Sequence, residues 1–147
     1  MKINQIYLAG PLFTEAEQDF NKKIADKLIT KGYKVFLPWE ECMNMEGSDI
    51  FNTCKKGIDE SDVVLAVVDG ADADSGTCWE SGYAYQKKPI IALRTDFRVS
   101  GDTKGFNAMI YYSANEIVEK IGQDYFPKII KALDKLKIED TSLYPQL

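Results

Sequence analysis

The chain has 147 residues, 45% of them hydrophobic, which suits one globular domain with a real core and argues against a disordered or fibrous polymer. Its 18 basic residues face 23 acidic ones, for a formal charge of -5 and a pI near 4.8, the wrong sign for a nucleic-acid or anionic-membrane surface. With no histidine and three cysteines outside any C-x-x-C spacing, Ser-His-Asp and Cys-His mechanisms, a disulfide framework and a zinc site are all disfavoured.

In chain order, "INQIYLAG" reads as a first strand, and Gly10-Pro11 as the turn that ends it. "MKINQIYLAG" passes from one Lys directly into that strand, so no signal peptide is expected; reduced thiols and the lack of an ~18-residue apolar segment point to a cytoplasmic protein. Thr14 and Glu17 have capping-box spacing and open a helix with Phe20, Ile24 and Leu28 on one face, ending at Gly32. "KVFLP" is a second strand, stopped by Pro38. After the polar loop "WEECMNMEGS", a helix capped near Ser48 or Asp49 runs through Phe51, Cys54 and Ile58.

"VVLAVV" is a continuous apolar run, as expected of a strand buried on both faces. A loop from Asp69 to Ser75, a helix from about Thr77 to Lys87 and a fourth strand, "PIIAL", follow. Beyond the polar loop "RTDFRVSGDTKG" and a short "FNAMIYY", two helices are expected. The first is opened by a Ser113 and Glu116 capping box, and the second is amphipathic through Phe126, Ile129, Ile130, Leu133 and Leu136. Residues 1–137 form one domain in this reading and 138–147 a C-terminal tail. The βαβαβαβ alternation predicts an α/β, doubly wound (flavodoxin-like or Rossmann-like) three-layer sandwich with a mainly parallel sheet.

Ligands of such folds bind outside the carboxyl ends of the strands, where "GPLFT", "PWEECMN", "DGADADSGT" and "RTDFRVSGD" emerge. Neither a G-x-G-x-x-G nor a G-x-x-x-x-G-K-[ST] motif is present. Within "DADSGTCWESGYAY", Thr77 and Glu80 have the spacing of a capping box, while Asp74 and Glu80 offer two carboxyl groups at the mouth of the site. A Glu80 in the first helical turn would feel the positive end of the dipole and stay ionised at neutral pH. Cys78 fits either a low-pKa thiol or, better, small-residue packing, and Arg94, Asp96 and Arg98 read as a solvated loop cluster.

"IYLAGPLF", "DSGTCWESGYAY" and "FNAMIYY", in that order, resemble the nucleoside 2-deoxyribosyltransferase family from about residue 5 to 120. The resemblance implies a cytoplasmic salvage enzyme that needs no cofactor or metal and moves 2-deoxyribose between purine or pyrimidine bases by double displacement. It implies Glu80 as nucleophile, Asp74 as the group that handles the proton of the leaving base, and Tyr7 as the residue that orients Glu80. Gly10, Phe13 and Gly76 would border the substrate, and Asn107 and Met109 would reach the pocket of a neighbouring subunit. The implied partners are small-molecule deoxynucleosides, free nucleobases and further copies of the chain, a homo-oligomer with shared active sites, and neither a nucleic-acid polymer nor a membrane.

The chemistry suits those roles, because a carboxylate beside the anomeric carbon can trap an oxocarbenium-like state as an ester while a second carboxyl group protonates the base. Glu40, Glu41, Asn52 and Cys54 are the candidates for reading the base. Two rivals stay open: a hydrolase of nucleoside 5'-monophosphates, which needs a phosphate cradle, and a noncatalytic nucleotide-sensing module.

Overall fold

Five strands, β1 (Gln5–Ala9), β2 (Lys34–Phe36), β3 (Val63–Val67), β4 (Ile90–Arg94) and β5 (Glu116–Glu119), lie parallel in the order β2-β1-β3-β4-β5 in the computed structural model, which describes residues 1–99, 101–119 and 124–138. This is the flavodoxin-like strand order, and the chain reverses direction across the sheet between β1 and β3. The helices are α1 (Glu15–Thr30), α2 (Pro38–Glu41), α3 (Gly47–Glu60), α4 (Ser75–Ala84), α5 (Ala108–Ser113) and α6 (Tyr125–Ile138). No helix among the described residues is long and apolar enough to cross a membrane.

Strand alternation divides the core in two. Ile6, Leu8, Leu65 and Ile91 face α1 and α6, whereas Tyr7, Ala9, Val64, Ala66 and Ala92 face α3, α4 and α5. Every residue of β3 and β4 is buried, as their apolar runs require, and each large aliphatic side chain so placed contributes roughly 1.5–3 kcal/mol. Tyr7 pairs in register with Phe36 on one side and Val64 on the other, so all three project toward the same helical layer.

Several boundaries depart from the sequence reading. "FNAMIYY" supplies α5, with Asn107 as its N-cap, and the segment expected as a helix from Ser113 is the fifth strand. Ser113 donates its hydroxyl back to the Ile110 carbonyl instead of capping, and Asn115 pairs with Ile90 through both its backbone N–H and its side-chain Oδ1. That pairing holds the β-branched Ile117 and Val118 against β4, so the free sheet edge overrides a local capping signal. The second large helix starts at Gly47 after Glu46, so neither Ser48 nor Asp49 caps it. The expected tail, apart from Ile138, lies outside the described residues.

Candidate active site

Tyr7 has none of its surface exposed, and its ring stacks on Phe36 with centroids 5.1 Å apart and planes 14° from parallel. Phe36 fits there because α3 carries Gly57 opposite it: a Cβ at that position would stand 2.5 Å from the Phe36 ring. At the other end of the Tyr7 side chain, the hydroxyl donates to Glu80 Oε1 at 2.5 Å. Glu80 is the sixth residue of α4, in its second turn and not its first, so the helix dipole is not the leading influence on it. Burial raises its carboxyl to about 7, helped by the charge of Asp74 and opposed by the Tyr7 hydrogen bond. The expected permanently ionised Glu80 is therefore corrected to a group that titrates near neutrality. Burial and the neighbouring Glu80 charge push the Tyr7 phenol well above its usual range, so Tyr7 remains the proton donor of the pair.

Cys54 of α3 lies against the same hydroxyl, and burial pushes its thiol up to about 12. Its sulfur is 3.6 Å from that of Cys42, the residue that ends α2. Among the four side chains offered for base reading, Cys54 is the one that reaches this pair. Glu40 is joined to Lys22 of α1 at 2.9 Å, and Glu41 and Asn52 are exposed.

Asp74 is the N-cap of α4. Its Oδ2 accepts from the Thr77 backbone N–H at 2.9 Å and from the Thr77 hydroxyl at 3.2 Å. Thr77 thus occupies the third helical position as a donor, and the Thr77–Glu80 capping box does not form. Glu80 is released to face Tyr7, one turn further along. Gly76 stands exposed beside this cap, where a Cβ would come within 3.1 Å of Asp74 Oδ2.

The loop after β1 is fixed from within. A Cβ at Gly10 would meet Asn21 Oδ1 at 2.7 Å, and the buried Asn21 donates from Nδ2 to the carbonyls of Pro11 and Glu17, each at 2.9 Å. Thr14 and Glu17 form the expected capping box, in which Glu17 Oε2 also accepts from the Phe13 N–H; Phe13 itself is 79% exposed. The β3 and β4 loops are stitched together by Asp69, which accepts from Thr95 N–H, Thr95 hydroxyl and Asp96 N–H.

Arg94 is not part of a solvated cluster, because it is 6% exposed and donates to the carbonyls of Val68, Gly70 and Arg98. Asp96 accepts from the Gly70 N–H and pairs with Arg98, whose hydrogen bonds hold the Asp96 carboxyl far below its usual range. A β4 side chain at the strand end turns inward to satisfy buried carbonyls, while Arg98 stays exposed and its partner Asp96 is partly buried.

Asn107 and Met109 do not approach Glu80 of their own chain. They line a cavity of ≈ 590 Å³ between α5 and the Cys78, Ser81, Gly82, Tyr85 face of α4, about 150° around that helix from Glu80. Met109 is 80% exposed, and Asn107 Oδ1 caps α5 by accepting from the Met109 N–H. Cys78 is exposed, with its thiol raised by partial burial and by the charges of Asp74 and Asp72, so it is neither a poised thiolate nor packed in the core.

The sequence reading missed the support behind Tyr7. Gly57 was its one available signal, since a glycine inside a helical pattern marks a close approach.

A sequence model described as nucleoside 2-deoxyribosyltransferase matches residues 6–139. An uncharacterized protein of Ureaplasma parvum serovar 3 is 37% identical, over 65% of this chain and 72% of that protein. Among solved structures, a conserved protein from Enterococcus faecalis V583 aligns with a TM-score of 0.75 at 21% identity, covering 92% of this chain and 99% of the other. A 2-deoxyribosyltransferase from Bacillus psychrosaccharolyticus aligns with a TM-score of 0.67 at 24% identity, covering 97% and 99%. The family match spans the sheet, the Tyr7–Glu80 pair and the Asp74 cap alike, and the chain belongs to the nucleoside 2-deoxyribosyltransferase family.

Proposed function

We propose that this protein transfers 2-deoxyribose from one nucleobase to another through a covalent ester on Glu80. The observation that carries the reading is the 2.5 Å bond from the buried Tyr7 hydroxyl to Oε1, which fixes one oxygen of Glu80 and leaves Oε2 to attack. In the first half-reaction, Oε2 bonds to the anomeric carbon. The C–N bond breaks toward the base nitrogen, and that nitrogen takes a proton from Asp74. In the second, a different base attacks the anomeric carbon, expels Glu80 and returns a proton to Asp74. A carboxylate that titrates near 7 is, once ionised, a more basic nucleophile and a poorer leaving group than an ordinary one, and the Tyr7 hydrogen bond offsets the second effect by stabilising the carboxylate as it leaves the ester. The reading keeps both abilities near balance, as a reversible exchange needs.

Deoxynucleosides fit this mouth better than nucleoside 5'-monophosphates. The N-terminal amides of α1 and α4, where an anion would be held, are occupied by the chain's own carboxylates, Glu17 and Asp74. Asp74 adds negative charge beside Glu80. We place the reaction in the cytoplasm, in a homo-oligomer whose Asn107 and Met109 complete a neighbour's pocket.

Incubation with deoxyinosine and free adenine, followed by chromatographic separation of bases and nucleosides, tests the proposal. Deoxyadenosine is the expected product. Free deoxyribose without deoxyadenosine identifies a hydrolase, and neither product refutes catalysis on these substrates.

A further inference from the structure

Behind Tyr7 and Glu80 stands a pair of thiols that the reaction does not use. Cys54 lies half-buried against the Tyr7 hydroxyl, and its Sγ is 3.6 Å from Sγ of Cys42. Closing that gap to a disulfide of about 2.05 Å requires a movement of roughly 1.5 Å. The movement is shared between a turn of the Cys54 side chain and residues 42–46, a connection exposed from Met43 to Glu46 in which Asn44 already turns at φ 64, while the α3 backbone that carries Cys54 stays in place.

We propose that Cys42 and Cys54 are a reversible redox modification site, at which an intramolecular disulfide draws the Cys54 sulfur away from Tyr7 and slows the reaction at Glu80. The effect on rate rests on the reading of Glu80 as nucleophile; the disulfide and its effect on the Tyr7–Glu80 bond do not.

The oxidant is a low-molecular-weight disulfide, RSSR. Cys42 as thiolate attacks one sulfur of RSSR, forming a mixed disulfide and releasing RS⁻, which takes up the proton that Cys42 gave. Cys54 then loses its proton and attacks the Cys42 sulfur, forming the intramolecular bond and expelling the second thiolate as RSH. Two protein thiols are oxidised and one RSSR is reduced to two RSH. Cys42 acts first and Cys54 resolves, because burial keeps the Cys54 thiol protonated. In the reduced protein the Cys54 sulfur lies against the Tyr7 hydroxyl. In the disulfide the Cys54 sulfur is turned toward Cys42, and the Tyr7 hydroxyl loses that neighbour beside its bond to Glu80.

The test equilibrates the full chain in mixtures of reduced and oxidised glutathione, alkylates and digests it for peptide mass analysis, and measures base exchange on the same samples. A linked Cys42–Cys54 peptide is expected. With it, kcat should fall by about 10- to 100-fold, the scale set by a displacement of about an ångström at a reacting group, while KM changes little. Dithiothreitol should restore the rate. Cys42→Ser should match the reduced wild type and ignore the oxidant.

The absence of the linked peptide in samples whose exposed Cys78 has been glutathionylated overturns the proposal, as does a linked wild-type protein with unchanged kcat. If the reduced protein shows no base exchange, the Glu80 titration midpoint is read instead from its carboxyl carbon shift in both forms. A higher midpoint in the disulfide form upholds the coupling, even though the transferase reading has failed, and an unchanged midpoint overturns it.

Discussion

The hydroxyl of Tyr7 and the carboxylate of Glu80 meet at 2.5 Å although 73 positions separate them in the chain. A stack of contacts fixes the meeting point: Gly57 makes room for Phe36, Phe36 carries the Tyr7 ring, and Asp74 caps the helix whose sixth residue is Glu80. Each layer can be tested.

Glu80→Ala and Glu80→Gln should lower deoxyribosyl transfer by at least about a thousandfold, the scale seen when a nucleophile is removed. Chromatography of the deoxyinosine and adenine exchange measures it, and near-wild-type transfer by either variant would exclude Glu80 as nucleophile. Stability moves the other way. The folded-state value of Glu80 is raised from 4.5 to about 7, so its contribution is present below pH 4.5 and is lost as pH rises to about 7. Chemical denaturation should show Glu80→Gln gaining on the wild type by on the order of 3 kcal/mol across that window.

The rate should rise with pH along a limb centred near 7 in kcat/KM, as Glu80 ionises. Tyr7→Phe keeps the ring on Phe36 but removes the hydrogen bond that lowers the Glu80 value. Its limb should therefore move to higher pH, with kcat reduced on the plateau. A limb that stays in place in the variant would show that Glu80 is not the group titrating.

Asp74→Asn retains an oxygen that can accept from the Thr77 N–H, so its stability should stay within about 0.5 kcal/mol of wild type. Removing the charge that raises Glu80 should shift the pH limb downward. Cleavage of deoxyadenosine should slow much more than that of a deoxyriboside with an activated leaving group, because the latter needs less protonation. Equal slowing for the two substrates would make Asp74 a structural cap alone.

Gly57→Ala places a methyl group 2.5 Å from the Phe36 ring. Helix propensity gains about 1 kcal/mol, but overpacking costs about 1–3 kcal/mol, so the variant should be no more stable than wild type and up to ~2 kcal/mol less. Gly82→Ala, with open space at its Cβ, should show the propensity gain alone. Denaturation midpoints of the two variants separate these outcomes, and equal stabilisation of both would dismiss the Gly57–Phe36 contact.

Subunit sharing is checked by mixing Glu80→Ala with Asn107→Ala under conditions that exchange subunits. Restored transfer is expected, because some mixed pockets then combine a wild-type Glu80 with a wild-type Asn107. Heteromers seen by mass measurement with no recovery of activity would rule out a shared site.

The sequence alone determined what depends on neighbours in the chain. The buried runs of β3 and β4, the Thr14–Glu17 capping box and the alternation that makes a doubly wound sheet all follow from local periodicity and local hydrogen bonding. The signature around Glu80 was likewise legible, but not what surrounds it. Thr77 and Glu80 have the spacing of a cap, yet Asp74 takes the Thr77 amide and hydroxyl first, and Glu80 is left to bond Tyr7 of β1, 73 positions away in the chain. Ser113 and Glu116 also have that spacing, and the open edge of β4 pulls Glu116 into a strand instead. The burial that brings Glu80 near neutral pH, the thiol against Tyr7 and the inward turn of Arg94 were decided only by tertiary structure. Each depends on desolvation and on partners more than 20 residues away, which no spacing rule contains.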